Sequence, residues 1–179
     1  MDISIIIFLL GGLFLGWSLG ANDAANVFGT AVGTRMVQFK TAAIVCSIFI
    51  ILGAIISGAG TTETLGKLGS INALPGAFAA CVAAGISVYI MTKAGLPVST
   101  TQAIVGAIVG WNLYTGSATN IKVLITILGT WVLCPVIAGL IAMGFFTLTK
   151  NFILKRKLHI LRLDAYTRTA LLLAGAFGA

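Results

Sequence analysis

The chain has 179 residues, of which 59% are hydrophobic and only 8% are charged, and its formal net charge is +7 at pH 7. An ordinary soluble domain carries roughly 25% charged residues, so this composition excludes a soluble globular protein and indicates an integral membrane protein. The positive charge does not indicate nucleic-acid binding, because six of the eleven Lys and Arg residues fall between 150 and 168, in a segment without the aromatic interleaving that stacks on bases.

Apolar runs of roughly twenty residues predict membrane-spanning helices. They are expected over 3–19, with a polar insertion and a continuation to Thr34, and then over 41–57, 74–92, 97–118, 122–148 and from 170 onward. A Gly/Thr-rich stretch with Glu63 and Lys67 is expected to form a loop between the second and third helices. The fold class is therefore an all-α polytopic membrane protein with five or six transmembrane segments.

The distribution of cations predicts the orientation, since cytoplasmic loops collect Lys and Arg. Residues 150–168 are expected to form a basic cytoplasmic loop, with Arg35, Lys40 and Lys93 on the same side and the Glu63 loop outside. The segment 97–118 is short and begins with Pro, so two alternatives stay open: it spans the bilayer, or it is re-entrant and changes the sidedness of everything downstream.

The first polar cluster is Gly20-Ala21-Asn22-Asp23-Ala24-Ala25-Asn26. An ionised Asp at membrane depth is costly and persists mainly where it faces a packed interior or a water-filled site, so Asp23 is interpreted as functional. Asn22, Asp23 and Asn26 share one flank of a helix, because residues three and four apart are neighbours on its surface. Hydrogen bonding between helices explains the two Asn residues but not the carboxylate.

The second cluster is Pro97-Val98-Ser99-Thr100-Thr101-Gln102. Pro disfavours helix in the residue before it and Ser and Thr are good N-caps, so a helix is predicted to begin here within membrane depth. A helix start exposes unpaired N–H donors and about half a positive charge, and three hydroxyls add to them, which suits a tetrahedral oxyanion. An ordinary capped helix in a loop is the alternative.

The two clusters together pose a charge problem. An anion site made of neutral donors beside the Asp23 carboxylate would repel its ligand, and neither cluster contains Lys or Arg. A small cation such as Na⁺, held by carboxylate, carboxamide and backbone oxygens, would resolve the conflict and couple the occupancy of the two ions. We therefore expect cotransport rather than a channel.

Two similar segments of the chain suggest an internal repeat. Leu10-Gly11-Gly12-Leu13-Phe14 resembles Leu173-Ala174-Gly175-Ala176-Phe177, and on a single-pass topology these two helices run in opposite directions. Inverted-topology repeats are common in secondary transporters. The predicted division is a membrane domain over 1–149 that forms the first inverted repeat, the basic loop over 150–168, and the truncated start of a second repeat over 169–179.

Both clusters, in this order, resemble the two signature segments of the inorganic phosphate transporter (PiT) family, which here read Gly20–Asn26 with Phe28–Gly33, and Pro97–Gly106. The resemblance implies a multi-pass symporter of the inner or plasma membrane with inverted repeats, moving phosphate with Na⁺ in some members and with H⁺ or as a metal–phosphate complex in others. Na⁺ is the expected coupling ion, and no other cofactor is expected.

The resemblance assigns candidate roles to particular residues. Phosphate is assigned to Ser99, Thr100, Thr101, Gln102 and Asn26, and Na⁺ to Asn22, Asp23 and Asn26. Glu63 resembles an acidic position that many members treat as functional, and is a candidate coupling residue. Gln102 stands where the family often has His, which disfavours proton coupling through that position.

The second pair of signature segments is absent, so the chain is expected to supply half of a transporter. Its expected partners are phosphate, Na⁺, the lipid bilayer and a second half, a homodimer is left open, and nucleic acid is not expected. The alternatives are an H⁺-coupled phosphate permease, a sulfate permease, a passive channel and a non-transporting membrane scaffold. An enzyme is not expected, because no nucleophile–base pair or metal-ligand set stands out.

Overall fold

The computed structural model describes residues 3–69, 74–156 and 159–178, and these residues form six α-helices and no β-strand. The helices are α1 (Ile3–Gly33), α2 (Phe39–Leu68), α3 (Leu74–Lys93), α4 (Thr100–Thr115), α5 (Ile121–Arg156) and α6 (Ile160–Gly178). Four of them, α1, α2, α3 and α5, are long and apolar enough to cross a membrane. The all-α membrane fold expected from the composition is confirmed.

The polar insertion does not interrupt α1, which is helical throughout. Its alanines favour helix, and the Asn22 side chain finds hydrogen-bond partners away from the helical ladder, so it does not compete with the backbone. The helix ends in a turn in which Arg35 has a φ of 59° and the Thr34 hydroxyl donates to the Thr30 carbonyl. The predicted continuation of the first helix to Thr34 is confirmed within one residue.

The second helix continues well past Ser57, where its end was predicted. The Gly/Thr-rich stretch that follows is helical, so the expected Glu63 loop is wrong. Glu63 forms an ion pair with Lys67 one turn later, and the hydroxyls of Thr62 and Thr64 donate to carbonyls four residues before them. These local contacts support a helix that the apolar pattern alone does not predict.

Helices α3 and α4 form an antiparallel hairpin, with Gly76 near the start of α3 against the indole of Trp111 near the end of α4. α4 begins where it was predicted, and the Ser99 hydroxyl caps it by accepting the N–H of Gln102 at 3.3 Å. It ends at Gly116, whose φ of 68° gives the left-handed C-cap that glycine favours. With 16 residues α4 is about 24 Å long, shorter than a hydrocarbon core of roughly 30 Å.

The tip of this hairpin, residues 94–99, lies partway along α1. Two aromatic pairs join α1 and α3 in parallel register, Phe8 with Phe78 and Trp17 with Tyr89, with ring centroids 5.8 and 5.7 Å apart. The tip contacts α1 at Asn22, about three helical turns or roughly 16 Å before Gly33. α1 is about 46 Å long, so the tip meets it about two thirds of the way along its length. Whether 97–118 spans the bilayer or is re-entrant stays a prediction with two alternatives.

The position of Lys93 bears on the predicted sidedness. Lys93 lies beside Ala21 of α1, about four helical turns before the Arg35 turn. Lys93 and Arg35 are therefore at different levels along α1, and the predicted orientation stays a prediction.

The basic segment is largely helical. α5 continues to Arg156 and α6 begins at Ile160, so much of the segment 150–168 lies in these two helices. Lys and Arg are good helix formers, which carries both helices beyond their apolar runs. The first turns of α5 pack through Val123, Leu124, Ile127 and Trp131 on a cluster of Leu68, Ala80, Val105 and Ile108. Beyond Trp131 its large apolar side chains are exposed in the described residues.

Helices α1 and α6 are antiparallel neighbours. The ring of Phe28 packs on Gly175, while Val27, one residue earlier on α1, packs on Gly178, later on α6. Opposed directions of this kind are what an inverted repeat requires. The boundaries of the three predicted segments stay a prediction.

Candidate functional site

A cavity of about 620 Å³ lies between α1, α2 and the tip of the α3–α4 hairpin. It is lined by Leu15, Leu19, Asp23, Asn26, Thr61, Leu65, Pro97, Val98, Ser99, Thr100, Thr101 and Ile104. The two polar clusters, more than seventy residues apart in sequence, therefore meet across one space.

Asn22 holds the two clusters together. Its side chain is buried, and its amide nitrogen donates to the Val98 carbonyl at 2.7 Å and to Asp23 Oδ1 at 2.9 Å. A carboxamide nitrogen carries two hydrogens, so both bonds can exist together. Asn22 does not line the cavity, and the structure places it as the link between the α1 carboxylate and the hairpin tip.

Asp23 and Asn26, three residues apart on α1, face the cavity. Asp23 is half-buried, and within the described residues it forms no salt bridge. Its one hydrogen bond to a described side chain uses Oδ1, which leaves Oδ2 open to a ligand. A carboxylate without a fixed countercharge beside a cavity suits a mobile cation.

The start of α4 supplies the donors on the opposite wall. The first N–H groups of a helix have no intrahelical partner. The Ser99 hydroxyl accepts only the N–H of Gln102, so the N–H groups of Thr100 and Thr101 stay available to a ligand. The Thr100 hydroxyl is buried and has no hydrogen-bond partner among the residues that the structure describes. An unsatisfied buried hydroxyl costs about 1–3 kcal/mol, which a bound acceptor would relieve.

Besides Asn22, two predicted site residues lie away from the cavity lining. Gln102 is exposed, and its backbone N–H is occupied by the cap. Glu63 is exposed on α2 and paired with Lys67. Thr61, which sequence reasoning missed, lines the cavity instead. Thr61 was missed because its segment was assigned to a loop. The side toward which a residue points can be predicted only once the residue is placed in a helix.

A larger cavity of about 830 Å³ lies between α1 and α2. It is lined mainly by small and apolar residues and contains none of the predicted polar site residues. The smaller cavity is therefore the candidate site, because it is the one with the chemistry for ions.

Residues 19–175 match the sequence model of the phosphate transporter family. The chain belongs to the phosphate transporter family. The resemblance read from the two clusters is thereby confirmed, and the family is one of transporters rather than enzymes.

Relatives in the phosphate transporter family are similar over most of this chain. "Putative phosphate permease TK2061" of Thermococcus kodakarensis is 35% identical over 167 residues, 88% of this chain and 41% of that protein. "Sodium-dependent phosphate transporter" of Plasmodium falciparum is 34% identical over 155 residues, 80% of this chain and 23% of that protein. The chain thus spans about two fifths of the length of the archaeal permease.

A solved structure in the same family has a matching fold. It is titled "The sodium-dependent phosphate transporter" and superposes with a TM-score of 0.74 at 29% identity, covering 99% of this chain and 54% of that one. The expected half-transporter architecture is confirmed by this match.

Proposed function

We propose that this chain forms one half of a secondary symporter that imports inorganic phosphate together with Na⁺ across the inner or plasma membrane. The observation that carries the proposal is the 620 Å³ cavity in which Asp23 and Asn26 of α1 face Ser99, Thr100 and Thr101 at the start of α4. Oxygens on one wall suit a hard cation, and N–H and O–H donors on the other suit an oxyanion.

The electrostatics of this cavity favour coupled binding. At a separation of about 5 Å and an effective dielectric constant of about 20, two like unit charges repel by about 3 kcal/mol. Phosphate at the start of α4 would feel such a repulsion from Asp23, and Na⁺ bound to the carboxylate cancels it. The cation is therefore required before or with the anion, which links the two fluxes in alternating access.

Phosphate and Na⁺ are favoured over the alternatives by what the relatives are called. The Plasmodium protein and the solved structure carry sodium and phosphate in their names. Gln102 has no titratable side chain, which is consistent with Na⁺ rather than H⁺ coupling at that position. A second half of the transporter is expected to complete the site, and a homodimer stays open.

The test is Asp23→Asn in the intact protein, reconstituted in liposomes and assayed for uptake of radiolabelled phosphate against its gradient, with and without a Na⁺ gradient. We expect Na⁺-dependent uptake to be lost. Asp164→Asn is the matched control, because Asp164 is an exposed carboxylate on α6 paired with Arg168.

Four outcomes would contradict the proposal. Normal Na⁺-dependent uptake by Asp23→Asn would remove the coupling argument. Accumulation driven by a pH gradient alone would indicate H⁺ coupling, and competition by sulfate as strong as by phosphate would indicate a broader permease. Equilibration without accumulation in the unmodified protein would indicate a passive channel.

A further inference from the structure

We propose that α2 contributes a phosphate contact to this site through the hydroxyl of Thr61, a position that neither signature cluster contains. The inference rests on the proposed function and deepens it, because it assigns a third helix to the substrate site. It starts from the position of Thr61 in the cavity wall, opposite residues of α1 and beside the start of α4.

The three walls of the cavity change from apolar to polar at corresponding positions. On α1 the lining residues pass from Leu15 and Leu19 to Asp23 and Asn26, and on α4 they pass from Ile104 to Thr101 and Thr100. On α2 they pass from Leu65 to Thr61, one turn apart. Thr61 is therefore the polar group of α2 at the end of the cavity where the other two helices carry theirs.

Thr61 shares the cavity wall with the start of α4. At the far end of α2, Gly69 lies against Asn112 of α4, so the two helices are neighbours. Eight residues before this contact on each helix are Thr61 and Ile104, and both line the cavity together with Thr100 and Thr101, about one turn before Ile104. An oxyanion in the cavity at the start of α4 thus has the Thr61 hydroxyl as a donor from α2.

The Thr61 hydroxyl is free to bind a ligand. The next threonines on α2 are committed to the helix, since Thr62 donates to the Gly58 carbonyl at 2.9 Å and Thr64 to the Gly60 carbonyl at 3.0 Å. Thr61 has no hydrogen bond to any described residue. Thr61, Thr62 and Thr64 stand on different faces of α2, because each residue turns the helix by about 100°. Thr61, which faces the cavity, is the threonine whose hydroxyl does not bond to a helix carbonyl.

The test compares Thr61→Val with Thr62→Val in the intact protein in liposomes, measuring the phosphate KM at saturating Na⁺ and the half-saturating Na⁺ concentration at saturating phosphate. Val replaces the hydroxyl by a methyl group of similar size. We expect Thr61→Val to raise the phosphate KM about tenfold or more, the change for one lost hydrogen bond to a charged ligand, with Na⁺ dependence unchanged. Thr62→Val should leave both values as they are.

Thr61→Ser separates chemistry from packing, because it keeps the hydroxyl and removes the methyl group. A phosphate KM close to that of the unmodified protein supports the contact, and a Thr61→Ser variant as impaired as Thr61→Val overturns it. A change confined to Na⁺ dependence also overturns it, by assigning Thr61 to the cation. The proposed function fails separately, because the unmodified protein would then show no Na⁺-driven phosphate uptake at all.

Discussion

Replacing Asn22 by Ala should uncouple the hairpin tip from α1. The change removes two hydrogen bonds from one buried carboxamide, at 2.7 Å to the Val98 carbonyl and at 2.9 Å to the Asp23 carboxylate. Interhelical polar contacts in membranes average about 0.6 kcal/mol each, while a bond to a charged group is worth about 1.5–3 kcal/mol. Together they predict a loss of about 2–3.5 kcal/mol.

The consequence for transport should exceed the consequence for folding. Val98 directly precedes the Ser99 cap, so a freed tip displaces the anion donors relative to Asp23, and misplacement by about 1 Å can cost a hundredfold in rate. We expect Na⁺-dependent phosphate uptake to fall at least tenfold per molecule of folded protein, measured in liposomes with the folded fraction determined by size-exclusion chromatography.

Asn112→Ala provides the control for this prediction. Asn112 is equally buried, lies on the same hairpin near its other end, and donates to the Thr119 hydroxyl at 3.0 Å. It should reduce the amount of folded protein but not the uptake per folded molecule. If both variants lose uptake only in proportion to folded protein, Asn22 is a structural residue and the positioning argument is refuted.

Two further predictions concern packing and α2. Gly85→Ala should destabilise the α1–α3 contact by about 1–3 kcal/mol in a thermal unfolding assay in detergent, because its Cβ would lie 2.7 Å from an α1 phenylalanine ring. Gly12→Ala is the control, because a Cβ at Gly12 would meet no described atom within 4 Å, and it should have no such effect. Equal effects of the two changes would contradict the packing. If the Glu63 carboxylate itself takes part in coupling, Glu63→Gln should lower Na⁺-dependent uptake and Lys67→Gln should not. Equal effects of the two changes would show that Glu63 acts only through its exposed ion pair with Lys67.

The features that local chemistry determines were predictable from the sequence. The start of α4 follows from Pro97 and the capping residue Ser99, and the structure has the cap at that residue. The helical character of the Asn22–Asn26 segment follows from its alanines and its four-residue spacing. The meeting of the two clusters was expected only from their complementary charges, because no local pattern encodes a contact between distant segments.

The features that depend on tertiary contacts were not predictable. The sequence from 58 to 68 contains Gly and Thr in place of an apolar run, and its helix is supported by an ion pair and by hydroxyl–carbonyl bonds that a hydropathy pattern does not record. Because that stretch was assigned to a loop, the cavity-facing position of Thr61 could not be derived. The position of the hairpin tip along α1 depends on the register between α1 and α3, which is set by tertiary contacts such as the aromatic pairs.

The position of Lys93 supports the proposed role of Asp23 in binding a mobile cation. Lys93 is near in level to Asp23, but its ammonium lies 5.6 Å from the centre of the Tyr89 ring and its side chain lines a separate cavity with Trp17. A lysine inside the site would neutralise the carboxylate permanently, and phosphate could then bind without Na⁺. In the proposed mechanism Lys93 therefore leaves the charge of Asp23 to be balanced by an ion from solution, and the binding of phosphate depends on that ion.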